Sequence, residues 1–177
     1  MVFPFSLMHL TCSVVYLEIM MNSTIRAYVD TCVFGGAFDE EFAVSTSQFF
    51  TEIRLGRLNL ITSSVVTDEI LLAPLQVREL YSSLRDYITI VDPDENAFIL
   101  QRAYLAANIV SSKWEEDALH VAIATVTGCD LIVSWNFKHL VNFRRIKAYA
   151  RINIENGYQP IDIYTPREAL YYDKENI

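Results

Sequence analysis

From Ile25 onward, short runs of consecutive apolar residues alternate with longer segments in which apolar residues recur every three or four positions. The first pattern marks strands buried on both faces, and the second marks amphipathic helices. Ile25–Asp30 is the first apolar run and ends in an acid; Leu58–Ile61, Ile88–Val91, Leu131–Trp135 and Ile161–Tyr164 are the later ones. Between them, Glu40–Leu55 offers Phe42, Phe49, Phe50 and Ile53 to a core. A short helix is predicted around Val66–Leu72, with Thr62 to Ser64 as capping candidates and Pro74 as its stop. Gln76–Tyr87 and Asp94–Val110 read as helices, the latter with Ala97, Leu100, Ala103, Tyr104 and Ala107 near helical spacing. Trp114–Thr127 is helical up to the natural stop at Gly128, and Phe137–Ala150 is the last helix the pattern predicts. There is no internal repeat.

Strands separated by helices predict a three-layer α/β/α domain with a mostly parallel central sheet, because each crossover returns the chain to the same edge direction. Ligands of such sheets gather at the carboxyl ends of the strands. Asp30 ends the first predicted strand and Asn136 follows the fourth, while Glu69 and Asp117 lie near the starts of helices. These are the positions at which polar side chains can converge.

Composition narrows the picture. At 177 residues, with 52% apolar and 20% charged, the chain suits one globular domain that needs neither disulfides nor a structural metal. Cys12, Cys32 and Cys129 are odd in number and widely spaced, without a CxxC pair, which fits a reducing cytoplasm. The net charge of -8 argues against a simple phosphate-binding surface. It is compatible with clustered carboxylates that meet phosphate through a divalent cation. Residues 1–24 read as an N-terminal extension, upstream of a natural start near Met20 or Met21, with the domain occupying 25–177. The extension has no Lys or Arg before Arg26 and is interrupted by Pro4, Ser6, His9, Thr11 and Ser13, which makes a poor signal peptide and a poor membrane span. No stable membrane association is expected.

The densest signal is Glu116-Asp117-Ala118-Leu119-His120-Val121-Ala122-Ile123-Ala124, followed by Gly128-Cys129-Asp130-Leu131-Ile132-Val133-Ser134-Trp135-Asn136-Phe137-Lys138-His139-Leu140. This pair closely resembles the third and fourth motifs of PIN-domain ribonucleases, particularly those similar to VapC toxins of type II toxin-antitoxin pairs. Tyr28-Val29-Asp30-Thr31 resembles the first motif of that family, and Ser64-Val65-Val66-Thr67-Asp68-Glu69-Ile70 resembles the second, more weakly. The resemblance spans about Ile25 to Pro166. It implies a PIN-like fold and a metal-dependent endoribonuclease, with Asp30, Glu69 and Asp117 as catalytic acids. These three and Asn136 would hold Mg²⁺ or Mn²⁺, with Thr31 and Ser134 in support. The products would carry a 5′-phosphate and a 3′-hydroxyl. The implied partners are an RNA substrate and a cognate antitoxin protein, with a homodimer as an open state of assembly. Hard cations prefer oxygen ligands, so the chemistry agrees with the resemblance.

Each of these residues also has a plainer role open to it. Asp30 could be an ordinary strand-end acid, Asp117 a helix-capping acid, and Glu69 could face solvent beside Asp68. Asn136 offers a carbonyl oxygen but no negative charge, so it weakens any cation site or simply ties the strand end to the next helix. Asp130 reads as a turn residue. His120 and His139 read as hydrogen-bonded structural histidines rather than zinc ligands or general bases. Trp135, Phe137 and Lys138 could flank an RNA path or belong to the core. Arg144, Arg145, Lys147 and Arg151 form a local basic patch, either for an anion or for solvent. Tyr171 and Tyr172 could pack on the domain or on another chain. Two readings compete with the nuclease toxin: a catalytically weak or inactive PIN-like module that binds protein or RNA, and a different metal-dependent phosphoesterase or DNA nuclease.

Overall fold

The computed structural model describes residues 24–172. Residues 1–23 of the predicted N-terminal extension, including Cys12, lie outside the described residues.

Five strands form one all-parallel sheet: β1 Ile25–Val29, β2 Leu58–Ser63, β3 Ile88–Val91, β4 Leu131–Val133 and β5 Asp162–Tyr164. Their spatial order is β3-β2-β1-β4-β5, and every neighbouring pair is parallel. The helices are α1 Thr31–Gly36, α2 Ala43–Arg54, α3 Ser64–Leu71, α4 Leu75–Ser83, α5 Glu95–Ala106, α6 Glu115–Val126, α7 Phe143–Glu155 and α8 Pro166–Ala169. Helices cover the sheet to give the three-layer α/β/α architecture. Pairs α5–α6 and α5–α7 pack together, as do α1–α2, α1–α4 and α2–α8. Among the described residues no helix is long and apolar enough to cross a membrane.

The sheet is buried because its strands are apolar on both faces. Ala27, Tyr28 and Val29 of β1 and Leu131, Ile132 and Val133 of β4 are fully covered. From β1 the chain winds outward through β2 to β3, then α5 and α6 carry it back across to β4 on the other side of β1. The direction of winding therefore reverses between β1 and β4, the place where parallel sheets open a crevice at their carboxyl ends. Register brings Val29 opposite Val133, and the Asp30 amide donates to the Val133 carbonyl. Asp30 and the residues after Val133 are thus set side by side at that crevice.

Several element boundaries differ from the periodic pattern. The helix expected from Glu40 begins at Ala43, because residues 37–42 turn on bonds such as Phe42 N–H to the Asp39 carbonyl. The helix expected over Phe137–Ala150 runs instead over Phe143–Glu155. Asn136 closes a local turn by accepting the amides of Leu140 and Val141 on its carbonyl, and Asn142 then caps α7 through the amides of Arg144 and Arg145. An Asn side chain that satisfies helix-start amides fixes the start at Phe143. Ser63 caps α3 through the Val66 amide. Gly128 has φ 67°, the left-handed backbone that lets α6 stop. Two short helices, α1 and α8, lack enough apolar periodicity to announce themselves; α8 starts with a capping box between Thr165 and Glu168.

Candidate active site

Three carboxylates from three elements act on one buried imidazole beside the carboxyl ends of β1 and β4. Asp30 arrives at the end of β1, Glu69 on α3 and Asp117 in the first turn of α6. His120, one turn beyond Asp117 on α6, feels the negative charge of all three. Its Nε2 lies 3.6 Å from Glu69 Oε1, a charge contact longer than a hydrogen bond. Its Nδ1 lies 2.8 Å from Tyr28 Oη, which in turn lies 2.8 Å from Ser63 Oγ. Burial favours the neutral imidazole, but Glu69, Asp30 and Asp117 together outweigh it and raise the His120 pKa. With His120 protonated, Nδ1–H donates to Tyr28 and Tyr28 donates to Ser63. Burial pushes the Tyr28 phenol far up, so it keeps its proton for that chain.

Each acid is held by its own donors. Asp30 Oδ2 accepts from Ser134 Oγ at 2.7 Å and Oδ1 from Cys32 Sγ at 2.8 Å. Burial raises the Asp30 pKa, with the Glu69 charge adding to it, against the opposing pull of His120 and these two donors. Glu69 accepts from the Thr31 hydroxyl. Burial works against its charge as well, yet His120 and Thr31 prevail and hold its carboxyl below the usual range. Asp117 Oδ1 accepts from Asn136 Nδ2 at 2.8 Å, and Oδ2 lies 2.8 Å from His139 Nδ1. Asp68 is exposed while Glu69 turns inward, so the acid of α3 in this cluster is Glu69.

Asn136 occupies a different position in the cluster from that of a bare ligand. Its amide donates to Asp117 while its Oδ1 accepts the His139 amide, tying the strand end to the following turn. Ser134 supports Asp30 and also accepts the Asn136 amide. Cys32, Tyr28, Ser63, His120 and His139 join the network without having been singled out for it in the sequence. His120 had one available signal: three residues after Asp117, it shares that residue's helical face. Of the basic patch, Arg144, Lys147 and Arg151 are exposed on one face of α7 and Arg145 is partly buried. Arg151 pairs with Glu155, Lys147 lies over Phe143, and Arg145 Nη1 is buried with no hydrogen-bond partner among the described residues.

The donor set is the test of the expected cation. Three carboxylates are hard oxygen donors of the kind Mg²⁺ and Mn²⁺ take. The Glu69 and Asp117 side chains keep 32% and 17% of their exposure, which opens the cluster toward solvent. Among the described residues, however, no three His, Cys, Asp or Glu side chains stand close enough together to hold an ion as they are oriented. The chemistry of the donors fits a divalent cation. Binding one requires the acids to exchange present partners for it.

No protein-family model matches the chain, and no curated protein matches it. In structure it is similar to a chain of the VapBC2 complex from Rickettsia felis, solved bound to a DNA fragment from their promoter. The TM-score is 0.52 at 12% sequence identity, covering 80% of this chain and 98% of that one. At that identity the likeness establishes a common fold.

Proposed function

We propose that this chain is a metal-dependent endoribonuclease of the PIN-like type, acting as the toxin of a toxin-antitoxin pair. The observation that carries the reading is that Asp30, Glu69 and Asp117, brought from three elements to the carboxyl edge of a parallel sheet, all act on the same buried imidazole. Carboxylates drawn from three elements toward one group favour a compensating positive charge, and all three act to favour the protonated form of His120. Asp30, Glu69 and Asp117 would hold Mg²⁺ or Mn²⁺, with the Asn136 carbonyl as a neutral fourth donor. When bound, such an ion acidifies an attacking water and neutralises charge on the scissile phosphate. The chain's own contribution is orientation. Ser134 and Cys32 aim Asp30, Thr31 aims Glu69, and Asn136 and His139 aim Asp117. The fold neighbour comes from a VapBC2 complex, which supports a protein partner for this chain as well.

One observation favours a second reading, a PIN-like binding module without catalysis: every carboxylate already has a protein donor, and Glu69 also faces the buried His120. Cleavage separates the two. Full-length protein with Mn²⁺ or Mg²⁺ should cut members of a broad RNA panel and spare matched DNA. Asp30→Asn and Asp117→Asn should each abolish cutting, to at least the roughly 100-fold loss typical of removing a catalytic acid or base, while circular dichroism stays unchanged. Wild-type protein that cuts no RNA under any metal would establish the binding module instead.

A further inference from the structure

Two lysines converge at the rim of the carboxylate site. Lys113 Nζ lies 5.2 Å and Lys138 Nζ 4.9 Å from the centre of the Trp114 ring. That ring packs on His139 at 4.3 Å between centroids, and His139 holds Asp117. Both lysines are exposed, and among the described residues neither has a carboxylate within ion-pairing distance. In a chain of net charge -8, two exposed ammonium groups held on one indole are a local concentration of positive charge that attracts an anion.

The opposite side of the same turn carries aromatic faces. Trp135 stacks on Phe42 with centroids 4.3 Å apart and planes at 19°. Phe137 leans on both, at 6.1 Å and 6.0 Å, yet keeps 50% of its surface exposed. With Tyr171, which is 84% exposed, and the exposed Arg167 they line a groove of about 530 Å³. That volume falls in the range of roughly 300–1,000 Å³ typical of small-molecule sites. Glu41 adds one unfavourable charge to the lining, whereas the Glu168 carboxylate is turned into its bonds with Thr165. Asn136, bonded to Asp117, sits between Trp135 and Phe137 in the chain, and Ser134 holds Asp30. The aromatic groove, the acids and the lysine pair are therefore joined by the single turn Ser134–His139.

Exposed rings on one side of a carboxylate site and unpaired cations on the other meet the two needs of a single nucleic-acid strand, stacking for bases and charge for phosphates. A duplex hides its base faces and cannot use the groove. The geometry points to a path for single-stranded RNA across the Ser134–His139 turn, with backbone phosphates over Lys113 and Lys138 and a base against Phe137. A peptide occupant is disfavoured because it offers the lysine pair no regular row of anions. This path rests on the reading of the site as one that acts on RNA.

The test is binding, measured by fluorescence anisotropy of a labelled single-stranded RNA of mixed sequence, at low salt and in EDTA so that the probe is not consumed. The slope of log affinity against log salt should shrink by about 1.4 in the Lys113→Gln/Lys138→Gln double variant, at roughly 0.7 for each phosphate contact on a single strand. Phe137→Ala should weaken binding about ten-fold while leaving the slope unchanged, the signature of a lost stack. A duplex of the same sequence should compete poorly. Lys113 and Lys138 are exposed, so the double variant should melt as wild type does, whereas Phe137→Ala also gives up ring contacts with Phe42 and Trp135 and its fold is checked by circular dichroism. The path is overturned if wild type fails to bind, if both variants keep its affinity and slope, or if the duplex competes as well as the single strand. It is also overturned if the variants change only the chain's self-association in sedimentation, which would make the surface a protein interface. Failure of catalysis reads separately. Binding with the expected variant effects but without cleavage under any metal would sink the nuclease and keep the path; cleavage unaffected by the variants would do the reverse.

Discussion

His120 is central to the electrostatics of the site, because Glu69, Asp30 and Asp117 all act to raise its pKa against burial. Its pKa is raised from an ordinary 6.5, so the stability it contributes is fully present below pH 6.5 and is lost as pH rises through the folded value. The Asp30 pKa is likewise raised, from 3.8, so its contribution is present below 3.8 and is lost as pH rises through its own folded value. Glu69 has the opposite sign: lowered from 4.5, it stabilises above that value and ceases to as pH falls through its folded pKa. The metal-free protein should therefore melt at progressively lower temperature as pH is raised above 6.5, and His120→Gln should remove that dependence in a calorimetric pH series. A decline of the same size in the variant would mean another group titrates. Asn136 gives a second expectation. Its amide is a donor to Asp117 at 2.8 Å, so Asn136→Asp loses a hydrogen bond and sets two carboxylates face to face. Metal-free Asn136→Asp should be less stable by at least about 1 kcal/mol in urea titration, the worth of an ordinary hydrogen bond, with like-charge repulsion in addition.

At the scale of the element, α1 and the Ser134–His139 turn act as one support. Thr31 and Cys32 on α1 hold Glu69 and Asp30, and Cys32 Sγ accepts the Trp135 amide at 3.0 Å. The Trp135 indole lies against Gly36 at the end of α1 and donates to Thr46 Oγ1 at 3.0 Å. A Cβ at Gly36 would come within 2.6 Å of the indole, closer than any real contact, so the glycine is required by space. Gly36→Ala should destabilise by about 1–3 kcal/mol, the usual cost of overpacking, and alter Trp135 fluorescence. An unchanged spectrum with unchanged stability would show that the ring moves aside freely. Asn142→Ala should cost about 1 kcal/mol through loss of the α7 cap, with little spectral change.

For the whole molecule, the acidic balance and the gathered carboxylates make stability a function of cations. An ion that binds only the folded arrangement stabilises it by mass action, by roughly 2.7 kcal/mol at about 100 times its dissociation constant. Millimolar Mn²⁺ should raise the melting temperature of wild type above that in a monovalent salt of equal ionic strength, which separates binding from general screening. Asp30→Asn removes a buried charge whose burial is unfavourable, so the metal-free variant should be at least as stable as wild type at neutral pH. Its response to Mn²⁺ should shrink or vanish. Equal melting temperatures for wild type in the two salts, with no heat of binding, would rule out the cation site.

The strands and most of the helices were legible along the chain, because apolar periodicity is a local property that survives without knowledge of neighbours; Glu69 and Asp117 were named from the motif resemblance, and Asp30 from that and its place at a strand end. Helix starts were less legible: the helix expected from Phe137 begins at Phe143, because the bonds of Asn136 hold the intervening residues in a turn and Asn142 caps the helix. What tertiary structure alone determined is which distant groups face one another. The order β3-β2-β1-β4-β5 puts Ser134 against Asp30 across 104 residues and Tyr28 against His120 across 92. The same packing turned Glu69 inward and left Asp68 in solvent. Periodicity states that a residue is buried but not what it is buried against. The pKa values of Asp30, Glu69 and His120 arise from that missing information, since each is the sum of burial and of charges brought by other elements.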